Sequence, residues 1–237
     1  MPSLTTTAPA RFLLLGDSHA GPIGQAARQA GIPFQGGPIG AGREFTDSFF
    51  ATRHGTSGSG SGSDVVFHSG EAEEHYRRFL KELGVGALAE LGIPLVATFG
   101  FCAHFVALRE NWDIYRDRGG AVPPALLAGT LFDTVVRAAV RDALAFYEYA
   151  VDLGLRVLAV MPPQRVPGQS DAAVFLAAQE RIRLAVTELG VDVVDLRHRT
   201  TGPDGLQRPD LCEADDEVHG NLAFGRIVLA ELLDRGL

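Results

Sequence analysis

Short runs of consecutive apolar residues alternate along this chain with longer stretches whose apolar positions recur every three or four residues, a pattern that predicts strands and helices in repeating order. Arg11 to Leu15 (RFLLL) reads as a buried strand broken by Gly16, and Ala20 to Ala30 as a helix closed by Gly31. A weaker second strand is expected at Pro33 to Gln35, running into a glycine-dense turn from Gly36 to Gly42. Three more strands are expected at Pro94 to Thr98 (PLVAT), Leu155 to Met161 (LRVLAVM, stopped by Pro162-Pro163) and Val191 to Leu196 (VDVVDL). Helices are expected over Pro123 to Leu153, interrupted or preceded by a loop, over Asp171 to Leu189 and over Leu222 to Leu233. Right-handed crossovers between such strands build a doubly wound parallel sheet covered by helices on both faces.

One stretch departs from this regularity. Gly-Thr-Ser-Gly-Ser-Gly-Ser-Gly-Ser, within the segment Arg53 to Gly70, has no apolar side chain to bury, so a flexible surface loop is expected at about residues 55–63, with a mobile active-site flap as the alternative. The whole chain, 237 residues with 46% hydrophobic content, is large enough for one core and reads as a single domain over residues 1–237.

Charge then narrows the class of partner. A net charge of -8 and a pI near 5.3 repel nucleic acid and anionic membrane surfaces, which leaves a small molecule or a neutral polymer as the natural substrate. The N-terminus lacks a basic segment followed by a long apolar run, and no stretch has the length of a membrane span, so a cytoplasmic protein without membrane insertion is expected. Cys102, Cys212 and the scattered histidines show no ligand spacing, and the P-loop, dinucleotide and zinc motifs are missing, so neither metal nor cofactor is expected.

Two short blocks carry the candidate chemistry. Gly16-Asp17-Ser18-His19 falls between the first strand and the first helix, which puts the Ser18 hydroxyl at the carboxyl end of a strand and beside a helix N-terminus whose dipole favours an oxyanion. Asp216-Glu217-Val218-His219 precedes the last helix, and a carboxylate three residues before an imidazole can reach its second nitrogen and hold one tautomer. Taken singly, each block has a plainer reading: Asp17 and Ser18, or Asp215 and Asp216, would only cap the helices that follow them.

Together, a G-D-S block after the first strand and a D-x-x-H block before the last helix resemble the SGNH (GDSL) hydrolase family, and the order of elements between them agrees along nearly the whole chain. The resemblance implies a flavodoxin-like three-layer α/β/α sandwich around a parallel sheet of about five strands. It implies ester or acyl chemistry at Ser18, with His219 as base and Asp216 as its orienter. It also implies an oxyanion hole built from the Ser18 N–H, a glycine after the second strand and an asparagine after the third. Gly40 is the candidate glycine, with Gly37 and Gly42 as alternatives. Where the asparagine is expected the chain reads Gly100-Phe101-Cys102-Ala103-His104, so Cys102, a weaker donor than an amide, occupies that position.

His104 is the nearest replacement donor in sequence, against the plainer reading of a core or helix-surface histidine. Asp17, His19, Arg43 and Arg165 complete the candidate substrate-binding side. Phe45, Phe49, Phe50 and the group Asn111 to Arg116 either line a pocket or only pack helices on the sheet. The expected activity is cleavage of a small-molecule or carbohydrate ester through an acyl-enzyme on Ser18. The alternatives are O-acyl transfer on the same residues, and a binding or accessory protein whose catalysis is impaired by Cys102.

Overall fold

The first strand, β1 (Leu13–Gly16), is buried at every position, and its neighbours divide by parity: Leu13 and Leu15 enter one core, Phe12 and Leu14 the other. This is the signature of a strand covered on both faces, and it fixes the architecture of the computed structural model, which describes residues 8–53 and 62–237. After β1 come α1 (Ala20–Gln29), β2 (Gln35–Pro38), β3 (Phe50–Arg53), β4 (Asp64–Phe67), α2 (Gly70–Leu83), β5 (Leu95–Ala97) and the single turn α3 (Ala103–Val106). The second half holds α4 (Pro124–Leu127), α5 (Thr130–Ala139), α6 (Arg141–Asp152), β6 (Val157–Val160), α7 (Ala172–Glu188), β7 (Asp192–Val194), α8 (Arg197–Thr200) and α9 (Leu222–Asp234).

Five strands form one parallel sheet in the order β2-β1-β5-β6-β7. Helices α1 and α9 pack on each other over the face that carries Leu14, Val96 and Leu158, while α2, α6 and α7 cover the face that carries Leu15, Ala97 and Ala159. The fold is thus the three-layer α/β/α sandwich expected. The chain leaves β1 toward β2 on one side and returns to β5 on the other, so the loops after β1 and β5 diverge and leave a crevice beyond their carboxyl ends. Ser18 follows β1, and Gly100 to Cys102 follow β5.

Two expectations, for the second strand and for the segment Arg53 to Gly70, are corrected. Strand β2 starts at Gln35 and runs on through Gly36 and Gly37, where Pro33 to Gln35 was expected, because both glycines pair with β1, Gly36 at a point where no side chain fits. A Cβ on Gly36, whose φ is 108°, would stand 1.9 Å from the Leu14 carbonyl oxygen. The segment between Arg53 and Gly70 is not loop throughout, since β4 pairs antiparallel with β3 and places Phe67 in an aromatic cluster with Phe49, Phe99 and Phe146. Of the loop expected at 55–63, residues 55–61 lie outside the described residues. The expected helix from Pro123 to Leu153 is divided into α4, α5 and α6, with breaks at Gly129 and Val140. Among the described residues no helix is long and apolar enough to cross a membrane.

The β3–β4 hairpin is tied to α2 through Asp64, a fully buried carboxylate. Tyr76 Oη donates to its Oδ1 at 2.6 Å, the Leu88 N–H donates to the same oxygen at 2.9 Å, and Arg77 and Arg53 donate to Oδ2. Burial opposes its ionisation, but the hydrogen bonds from Tyr76, Arg77 and Leu88 outweigh that and hold its pKa below the ordinary value. Asp64→Ala is expected to cost about 3 kcal/mol, because it leaves a guanidinium, a phenol and an N–H without their acceptor. Urea unfolding at pH 7 measures this. Because the folded pKa is the lower one, the contribution is present above about pH 4 and is lost as pH falls through the folded value, so the variant's deficit should shrink in acid.

Candidate active site

The site begins where β1 and β5 end side by side. Thr98, directly after β5, accepts the Asp17 N–H at 3.1 Å and donates its hydroxyl to Asp17 Oδ1 at 2.9 Å. The strands approach so closely there that a Cβ on Gly16 would stand 2.0 Å from Thr98 Oγ1. Asp17 is fully buried; its Oδ1 also accepts the His19 N–H at 3.0 Å, and the Cys102 thiol donates to Oδ2 at 3.6 Å. Expected on the substrate side, Asp17 instead pins the loop after β1 to the loop after β5 and faces no open space.

Held by that pin, Ser18 projects its Oγ to 2.7 Å from His219 Nε2, across 201 positions of sequence. His219 Nδ1 lies 2.7 Å from Asp216 Oδ2, while Asp216 Oδ1 accepts the N–H groups of Val218 and His219, both at 2.6 Å. Burial opposes ionisation of Asp216, yet the hydrogen bonds from the His219 ring and from the two N–H groups bring its pKa down to about 2. An ionised carboxylate at Nδ1 fixes the tautomer that turns the Nε2 lone pair toward the serine proton. The helix-cap readings are not what the chain uses. Helix α9 is capped by Asn221, whose Oδ1 accepts from Ala223 and Phe224, and α1 starts at His19 without a side-chain cap.

Arg165, in the loop after β6, donates from Nη1 to the carbonyls of His219 at 2.7 Å and Glu213 at 3.0 Å, and stands 3.9 Å from Asp216 Oδ1. It braces the loop that carries Asp216 and His219. Arg43, by contrast, is exposed and makes no side-chain hydrogen bond or ion pair among the described residues, so the structure does not bring it into the cluster.

His19 stacks obliquely on His219 with ring centroids 5.0 Å apart. Burial lowers its pKa, and burial followed by the like charge of His19 lowers that of His104 to about 4, with Asp17 acting in the opposite sense on both. Both imidazoles are therefore neutral at pH 7.

Among the described residues the N–H groups of Ser18 and Gly40 donate to no acceptor. The Cys102 thiol is buried, its one proton turned to Asp17, and it fills the space over Gly42, where a Cβ would stand 2.5 Å from Sγ. Beside Cys102 opens an apolar cavity of about 370 Å³ whose walls include Phe45, Phe105, Val106, Trp112, Tyr115 and Leu131. Phe45, Asn111, Trp112 and Tyr115 thus line a pocket, whereas Phe49 is core and Phe50 packs against it. Sequence reasoning missed Thr98 as the partner of Asp17; its only signal was its place at the end of an expected strand.

No family model and no curated protein matches the chain. Among solved structures it is similar to a GDSL-like lipase from Bacteroides thetaiotaomicron, at 13% identity, covering 95% of this chain and 86% of that one with a TM-score of 0.47. It is similar also to a lipase/acylhydrolase from Enterococcus faecalis, at 12% identity, 95% and 94% coverage and a TM-score of 0.46. An acetyl xylan esterase matches at 15% identity, 95% and 100% coverage and a TM-score of 0.41.

The neutral histidines make a prediction about stability. An unfolded histidine binds a proton below about pH 6.5, whereas His104 in the fold does so only near pH 4, so acid favours the unfolded chain across that window. Denaturant midpoints should therefore fall between pH 7.5 and pH 5, and His104→Gln should lessen the fall. An identical pH dependence in the variant would show that His104 is not held neutral.

Proposed function

We propose that this chain is a serine hydrolase of the SGNH (GDSL) type that cleaves a carboxylic ester through an acyl-enzyme on Ser18. The observation that carries this reading is the unbroken line from Ser18 Oγ through His219 to Asp216, with a 2.7 Å contact at each end of the imidazole. In the reaction, His219 Nε2 takes the hydroxyl proton as Oγ attacks the ester carbonyl, and the resulting imidazolium is stabilised by the ionised Asp216. The oxyanion is received by the N–H groups of Ser18 and Gly40. His219 then protonates the alkoxide as its bond to the carbonyl carbon breaks. Water, deprotonated by the same nitrogen, releases the acid and restores Ser18.

Cys102 limits this scheme in a defined way. With its proton given to Asp17, the third donor that the family resemblance implies is not supplied by this residue, and loss of one oxyanion donor typically costs about two to three orders of magnitude in turnover. Slow turnover is therefore part of the reading.

The apolar cavity suits the acyl group, because Cys102, whose thiol reaches Asp17 next to Ser18, is among its walls and most of the others are apolar or aromatic. Its 370 Å³ compares with the roughly 150 Å³ of an engineered apolar cavity that takes up benzene, so an acyl chain of medium length or an aryl acyl group fits.

The test is hydrolysis of p-nitrophenyl acetate, butyrate and octanoate by the intact protein, Ser18→Ala and Asp216→Asn. The intact protein is expected to favour the longer chains in kcat/KM. Ser18→Ala should fall by at least about a thousandfold and Asp216→Asn by about ten thousandfold in kcat. Equal rates in the intact protein and Ser18→Ala would remove the serine mechanism.

A further inference from the structure

His219 is held at several points, and each fixes a different part of it. Arg165 holds its carbonyl, Ser18 Oγ lies 2.7 Å from Nε2, and Asp216 Oδ2 lies 2.7 Å from Nδ1. Bonds at the two nitrogens fix where those atoms lie, yet the ring can still tilt about the line that joins them. Such a tilt turns the Nε2 lone pair away from the serine proton, because a hydrogen bond weakens as it leaves its preferred direction.

Among the described residues one aromatic ring lies against His219, that of His19, with centroids 5.0 Å apart and planes at 46°. The separation is that of aromatic rings in contact. His19 is itself firmly placed. It follows Ser18 directly, and its N–H donates at 3.0 Å to Asp17 Oδ1, the oxygen that also accepts the Thr98 hydroxyl. The pin that sets the serine therefore sets this residue as well. Phe101, Pro162, Pro163 and Val218 share with His19 the walls of a recess of about 10 Å³, room for no more than about one water, so the ring has little space to swing aside.

Among the described residues the His19 ring makes no hydrogen bond, and what it offers His219 is contact with a flat, rigid surface. A ring in this place must also stay uncharged, since a cation there would oppose proton uptake by His219. Burial lowers the pKa of His19; Asp17 opposes that effect, His219 adds to it and Asp216 opposes it, while His104 and Arg165 are the other titratable or charged groups on the recess.

We propose that His19 is a positioning residue for the base, a ring packed against His219 that keeps Nε2 directed at Ser18 Oγ. Its effect on turnover rests on the serine-hydrolase reading; its effect on the His219 ring does not.

Three variants test this: His19→Ala removes the ring, His19→Phe keeps a ring, and His19→Gln keeps a hydrogen-bonding group without one. Two readouts are taken, kcat and KM on p-nitrophenyl butyrate and the nitrogen NMR shift of neutral His219 Nε2 in protein with labelled histidine. The Nε2 shift in Ser18→Ala marks the value without the serine bond. His19→Ala is expected to lower kcat by about ten- to a hundredfold with KM changed by less than about twofold, and to move the Nε2 shift toward the Ser18→Ala value. His19→Phe should recover most of both, and His19→Gln neither.

An unchanged kcat and Nε2 shift in His19→Ala would overturn the proposal, as would an intact protein whose Nε2 shift already equals that of Ser18→Ala. Recovery by His19→Gln, or loss in all three variants alike, would overturn it too, since either would make the chemistry of the side chain and not its flat surface the thing that matters. Should a thermal scan show that His19→Ala does not fold, the contrast between Phe and Gln decides by the same criteria. An intact protein that cleaves no ester would remove the hydrolase reading and leave the Nε2 shift to decide this one: movement in Ala and Gln but not in Phe keeps it, and no movement overturns it.

Discussion

Two hydrogen bonds exchanged between Asp17 and Thr98, 81 residues apart and both buried, govern where the loop that carries Ser18 stands in this chain. They join the ends of the two strands at which the sheet reverses its direction of growth, the point where an α/β sandwich leaves a crevice. Leaving a buried partner of such a bond unpaired costs about 1–3 kcal/mol, enough to favour one loop geometry against its alternatives. Ser18 takes its direction from that anchor. The aspartate of the G-D-S-H block is thus a positioning residue, tied to Thr98 and not to the serine beside it.

The other half of the cluster is anchored independently. Asp216 is held by two N–H groups of its own loop and by the His219 ring, and Arg165 ties the same loop to the end of β6. The serine side and the histidine side therefore meet as two preorganised pieces supported by different strands. Such support is what a reaction that depends on sub-ångström alignment requires.

Most of the sheet was legible because buried parallel strands appear as uninterrupted apolar runs; Leu13 to Leu15, Leu95 to Ala97 and Val157 to Val160 stand where the pattern placed them. What escaped is instructive. Gly36 and Gly37 carry the turn signal of their type, yet both pair with β1, and the close approach of Gly36 to Leu14 is a tertiary requirement that no local pattern reveals. The hairpin partner Asp64–Phe67 was hidden by the polar run before it, and its stability comes from contacts with α2 made after folding. The blocks that carry Ser18, Asp216 and His219 were legible as candidates because they sit at strand and helix boundaries, and the fold brings the three side chains together, whereas Thr98 acts only through a neighbour distant in sequence. Arg43 stands on the surface, outside the hydrogen-bonded cluster.

The central claim is that Ser18 is an activated nucleophile and not merely a serine beside a histidine. Intact-mass and peptide spectrometry after treatment with a fluorophosphonate tests it most directly, since that reagent bonds to a serine oxygen whose proton a neighbouring base removes. The account predicts one adduct, on Ser18, absent in Ser18→Ala and formed at least about a hundredfold more slowly in His219→Ala. An unlabelled protein, or an adduct on any other residue with Ser18 untouched, would contradict it.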